Sequence, residues 1–159
     1  MAAGWSFGST LSAGRDGACA ARIIRVSPLL MAVSLAALGL MLRRAHGFEQ
    51  GAGFALLCVA LAGAGLGIGM AWPHLLTAVL ESAPAAEGDL ASASISTVQL
   101  YAMSVGAALA GLLANAAGLS EPGGVAGASR AALWVFGGFA ALVVLGLPTA
   151  RRVTLPLPA

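Results

Sequence analysis

The chain has 159 residues, of which 59% are hydrophobic and 9% charged, and its mean hydropathy is +0.93. A soluble domain carries about 25% charged residues, so this composition excludes a water-soluble globule. The net charge is +2, every basic residue is an arginine, and no basic face for nucleic acid results.

Residues 1–13 are uncharged and lack the basic start of a secretory leader, with Arg15 and Asp16 following directly. As a helix, Ala2 to Ala13 would extend only ~18 Å. They suit either the remnant of a spanning helix that begins earlier or a disordered or interfacial leader. Four charge-free spans follow, approximately 26–42, 53–80, 90–118 and 131–148, within a single membrane region covering 1–159. A bilayer core ~30 Å thick needs about 17–25 apolar residues per helix. Lipid also requires each backbone N–H and C=O to be paired within the segment, which selects helix. The expected fold class is therefore all-α, a polytopic transmembrane helix bundle with the lipid bilayer as its solvent.

The eight arginines set the orientation. With four crossings, the first loop (Arg15, Arg22, Arg25), the Glu81–Asp89 loop and the tail (Arg151, Arg152) share one side. Arg43, Arg44 and Arg130 lie on the other. The positive-inside rule puts the richer side in the cytoplasm, giving a multi-pass protein of the cell inner membrane with a cytoplasmic carboxyl-terminal tail.

From Pro28 to Leu42 the first span has Ser34 as its one polar side chain, and from Ala131 to Leu147 the fourth has none beyond Trp134. Helices so uniformly apolar are expected to face lipid. The second and third hold the glycines and nearly all polar groups, so these two are expected to be sheltered neighbours. In the second, Gly63/Gly67 and Gly65/Gly69 form overlapping small-xxx-small pairs that let backbones approach, and Pro73 should kink the helix. Their role is either tight packing or bending of a cavity-lining helix. His74 is either hydrated near the interface or a proton carrier. On the third span, Ile95, Val98, Ala102, Val105, Leu109 and Leu113 share an arc of ~80°, a stripe expected to face lipid. Ser92, Ser96, Gln99, Met103, Gly106 and Ala110 form a second line, and Gly111 adds another small residue. Gln99 and Asn115 serve either as interhelical hydrogen-bonding groups or as lining of a substrate path.

Cys19 and Cys58 fall at different depths, so no disulfide is expected, and two cysteines make a poor metal site. No cofactor and no metal are implied. Neither an intramembrane acid pair nor an HExxH motif is present, which argues against an enzyme.

The run from Gly67 to Leu119 resembles the major facilitator superfamily, with likeness nearest to bacterial drug–proton antiporters. It is similar to the tenth and eleventh helices of a twelve-helix member and their cytoplasmic connection. The likeness rests on the glycine-rich helix ending near Pro73 and the acidic loop after it. It rests further on Asp89-Leu90-Ala91-Ser92-Ala93, Ser96-Thr97-Val98-Gln99-Leu100 and Gly106-Ala107-Ala108-Leu109-Ala110-Gly111. Gly14-Arg15-Asp16-Gly17 echoes the family's short basic loop, but the order of acid and arginines is disturbed, so no gating role carries over. The resemblance implies a partial carboxyl-terminal half of a major facilitator fold, with peripheral first and fourth spans and the second and third bordering the central cavity.

The expected function is transmembrane transport of a small-molecule substrate, as drug/proton antiport, by a transporter of which this chain is a truncated carboxyl-terminal portion. Missing N-terminal helices would complete it and supply any proton-coupling carboxylate, since no Asp or Glu lies within a span. The translocation-path candidates are Ser96 and Gln99, with Thr77 and His74 across from them, and Asn115. The helix-packing candidates are Gly63, Gly65, Gly67, Gly69, Pro73, Gly106 and Gly111. The alternative is a small polytopic membrane subunit with a structural or assembly role. A small dimeric exporter is disfavoured because such proteins depend on an intramembrane glutamate.

Overall fold

Turn residues divide the chain into helices in a computed structural model that describes residues 1–44 and 51–153. The helices are α1 (Ala2–Ser12), α2 (Gly17–Arg43), α3 (Ala52–Ser82), α4 (Gly88–Ala116) and α5 (Gly124–Val153), with one 3-10 turn at Ala85–Glu87. Gly14, Gly17, Gly51, Gly118, Gly123 and Gly124 all have positive φ and lie at these junctions, where a side chain would be strained. The helices α2 to α5 are each long and apolar enough to cross a membrane. The chain is an all-α, multi-pass membrane bundle. The last residues of the tail, expected to be cytoplasmic, lie outside the described residues.

The helices overrun the apolar stretches. Helix α2 begins at Gly17 rather than near 26, and α5 at Gly124 rather than near 131. A charged side chain marks the edge of the lipid, not the end of a helix. Arg22, Arg25 and Arg130 are good helix formers and sit on turns that project beyond the apolar run. Cys19 accordingly lies in the first turn of α2, and both cysteines are free and exposed. Residues 2–12 form a helix that packs along α3.

Helix α2 holds the bundle together, packing against both α3 and α5. It buries Ile23, Ile24, Ser27, Ala32, Ser34, Leu38 and Gly39, and Leu38 is 1% exposed. Helix α4 buries no residue, packs on α5 and touches α3 sparsely. This departs from the expectation at two helices: the plain first span is central and the polar-rich third span is outermost, so the second and third are not close neighbours, whereas α3 lies sheltered between α1 and α2. Membrane helices gain little from hiding apolar surface, because lipid is equally apolar, so close approach decides which faces meet. Helix α2 supplies that approach. A Cβ at Gly39 would meet Phe136 Cβ of α5 at 3.3 Å, and one at Gly63 of α3 would lie 3.6 Å from Ser34 Cβ.

Three of the hydroxyls on α4 are satisfied within the helix, which lets that side stand exposed. Ser94, Thr97 and Ser104 donate to the carbonyls of Leu90, Ala93 and Leu100, four residues back, at 2.8, 3.0 and 2.9 Å. A hydroxyl bonded to its own helix does not demand protein or water around it.

Helix α3 uses its small residues on two sides. A Cβ at Gly67 would stand 2.9 Å from the Ser27 carbonyl oxygen of α2. One at Gly65 or Gly69 would run into the backbone of Met1 or Trp5, and one at Gly4 into Ala62. Pro73 lies inside α3 and has no N–H for the Gly69 carbonyl four residues earlier. The Ser9 hydroxyl of α1 donates to that carbonyl at 3.2 Å, sharing its hydrogen with the Trp5 carbonyl at 3.0 Å. The proline that loosens α3 therefore also creates the acceptor that ties it to α1.

Candidate functional site

Because α4 leans on α5 rather than α3, a cleft of about 860 Å³ opens between α3 and α4. Its floor is Met31 of α2 and Phe139 of α5, and Ile68, Trp72 and Val79 form the α3 wall. The α4 wall is Ala91, Ser94, Ile95, Val98, Gln99, Ala102, Met103 and Gly106, an unbroken three/four repeat along one helical face. The cleft contains no charged side chain, and Gln99 supplies its one amide.

The sequence candidates do not all meet here. Gln99 lines the cleft, and Gly106 faces Phe139, whose Cε1 would lie 3.9 Å from an added Cβ. Ser96 is exposed and does not line it. Ile95, Val98 and Ala102, expected to face lipid, share the wall with Gln99 and Met103. The cleft accepts an arc wide enough for both lines of the wheel, and Ser94 joins that arc with its hydroxyl bonded to the Leu90 carbonyl.

His74 and Thr77 do not stand across from Gln99. They border a separate cavity of about 480 Å³ beneath the α1–α2 loop, with Arg15, Asp16, Pro73 and Glu81. On α3 they lie on the side turned to that loop, away from the cleft. The Thr77 hydroxyl donates to the Pro73 carbonyl at 3.0 Å. Nε2 of His74 is buried with no hydrogen-bond partner. Asn115 lies near the α4–α5 turn and its Oδ1 accepts the Ser120 hydroxyl at 2.8 Å. Gly111 meets nothing within 4 Å of an added Cβ. Among the described residues, no group of three His, Cys, Asp or Glu side chains could hold a metal ion.

Sequence reasoning missed Met31, Trp72, Ala91 and Phe139. The repeat from Ala91 to Gly106 was the available signal, because it runs at one helical spacing through polar and apolar residues alike. Met31 and Phe139 carry no such mark; only the packing of α2 and α5 brings them under the cleft.

The fold and the uncharged cleft define a multi-pass membrane protein of helices. The chain is 38% identical over 148 residues to proteins named probable multidrug-efflux transporters in two strains of Mycobacterium tuberculosis, CDC 1551 / Oshkosh and ATCC 25618 / H37Rv. The match covers 91% of this chain and 30% of each relative, so the chain spans about 30% of the length of the curated relatives it matches. No family model matches the chain, and no solved structure matches it.

Proposed function

We propose that this chain is part of a small-molecule efflux transporter of the major facilitator type, working by drug–proton antiport across the inner membrane. The observation that carries the reading is the 38% identity to probable multidrug-efflux transporters along nearly all of this chain. Alternating access requires two repeats rocking about a site near mid-bilayer, more than these helices supply, so the remaining N-terminal helices would come from the rest of the transporter. The loop 13–16, the α3–α4 turn and the end of α5 would face the cytoplasm, in keeping with the arginine distribution.

Ethidium efflux from an efflux-deficient bacterial host tests this. The chain alone should give none. A chimaera joining it to the portion of the mycobacterial relative outside the matched stretch should restore efflux, and a protonophore should abolish it. Efflux by the chain alone would favour an independent exporter. An inserted chimaera that exports nothing would favour the structural subunit.

A further inference from the structure

We propose that the α3–α4 cleft is the seat of a further transmembrane helix, contributed by the part of the transporter outside this chain. The inference rests on the transporter reading above and adds where the two parts meet.

Three features of the cleft point to a helix rather than to acyl chains. The first is shape. The lining runs along the helix axes, from Ala91 to Gly106 on one wall and Ile68 to Val79 on the other. At 1.5 Å per residue these walls are roughly 16–22 Å long. Spread over that length, about 860 Å³ is a trough roughly half as large in section as a helix ~10 Å across. A helix would therefore lie half sunk between α3 and α4.

The second is the α4 wall itself. Its three/four repeat is the pattern of a helix face that meets another helix, and Ala91, Ala102 and Gly106 are small enough for close approach. Yet α4 buries no residue, and Val98 in the middle of that face is 66% exposed. The third is Gln99. It is exposed in an uncharged wall and no described residue partners its amide. Acyl chains would leave that amide bare in hydrocarbon, which is costly, whereas a helix can present a polar side chain to it. The relatives are long enough to supply such a helix, since 70% of their length lies outside the match.

The occupant is thus an apolar helix with a small residue where it crosses Ala102 and Gly106, and a hydrogen-bonding side chain opposite Gln99. The test places the photo-cross-linker benzoylphenylalanine at Val98 in the cleft or at Leu145, which is 74% exposed on α5. Each full chain is co-produced with the portion of the mycobacterial relative outside the matched stretch, and cross-linked peptides are mapped by mass spectrometry. Val98 should cross-link to one apolar helix of that portion and Leu145 to lipid. Ala102→Trp, which fills the trough, should lower the Val98 yield at least tenfold while leaving the α2–α3 packing intact. Adducts from Val98 only to lipid, to a bound small molecule or to a second copy of this chain would overturn the proposal. If the two portions restore efflux while Val98 finds only lipid, this inference falls and the transporter reading stands. If they neither co-purify nor restore efflux, both fall.

Discussion

Ser9 and Gly69 show how a single backbone vacancy becomes a helix–helix tie. Pro73 withdraws the donor, Gly69 is left with a free carbonyl, and the absence of a side chain at Gly69 lets Ser9 reach it. Interhelical hydrogen bonds in membranes contribute about 0.6–2 kcal/mol. Ser9→Ala should weaken unfolding stability in bicelles by that amount. Thr10→Ala should change it little, because the Thr10 hydroxyl serves only carbonyls of its own helix, Ser6 and Phe7. Glycines divide in the same way. Gly65→Leu drives a side chain into the backbone of Met1 and Trp5, and overpacking of this kind costs about 1–3 kcal/mol or separates α1 from α3. Gly111→Leu projects into open space and should leave stability within about 0.5 kcal/mol of the parent. The glycine face of α3 was readable from the 63/67 and 65/69 spacing. Which neighbour each pair meets was not, because α1 and α2 both offer small residues.

At the scale of the helix, existence was legible and placement was not. Charge-free runs located α2 to α5, since lipid leaves few alternatives to helix. Polarity then misdirected the packing, because Ser94, Thr97 and Ser104 look like residues in need of shelter. Their hydroxyls bond their own backbone, so α4 carries them exposed. The converse holds for α2, whose apolar sequence suggested lipid contact while Ser27, Ala32, Ser34 and Gly39 built the contact surface. The α4–α5 turn depends on conformation more than on packing. Gly118 sits at φ +93°, and a Cβ there would lie 2.9 Å from the Glu121 carbonyl oxygen. Gly118→Ala should cost about 1–2 kcal/mol from the left-handed conformation alone. The measurement is the same bicelle unfolding, and Gly88→Ala, where nothing is close, is its control.

For the whole molecule, topology and packing make separate predictions. Alternation of the four long helices sends the α1–α2 loop, the α3–α4 turn and the end of α5 to one face. Green fluorescent protein fused after Ala159 should fluoresce in the cytoplasm, and alkaline phosphatase fused at the same point should be inactive. Packing carries the central claim: α2 clamps α3 and α5 together, and α4 stands off α3 across an open trough. Cysteine cross-linking in native membranes, with Cys19 and Cys58 replaced by serine, reads this directly. The Ser34→Cys/Gly63→Cys pair has a Cβ separation of 3.6 Å, and a disulfide needs about 3.5–4.5 Å. That pair should oxidise rapidly, whereas Ile68→Cys/Met103→Cys, on opposite walls of the trough, should remain reduced. Rapid closure of the 68/103 pair with no reaction at 34/63 would contradict the account.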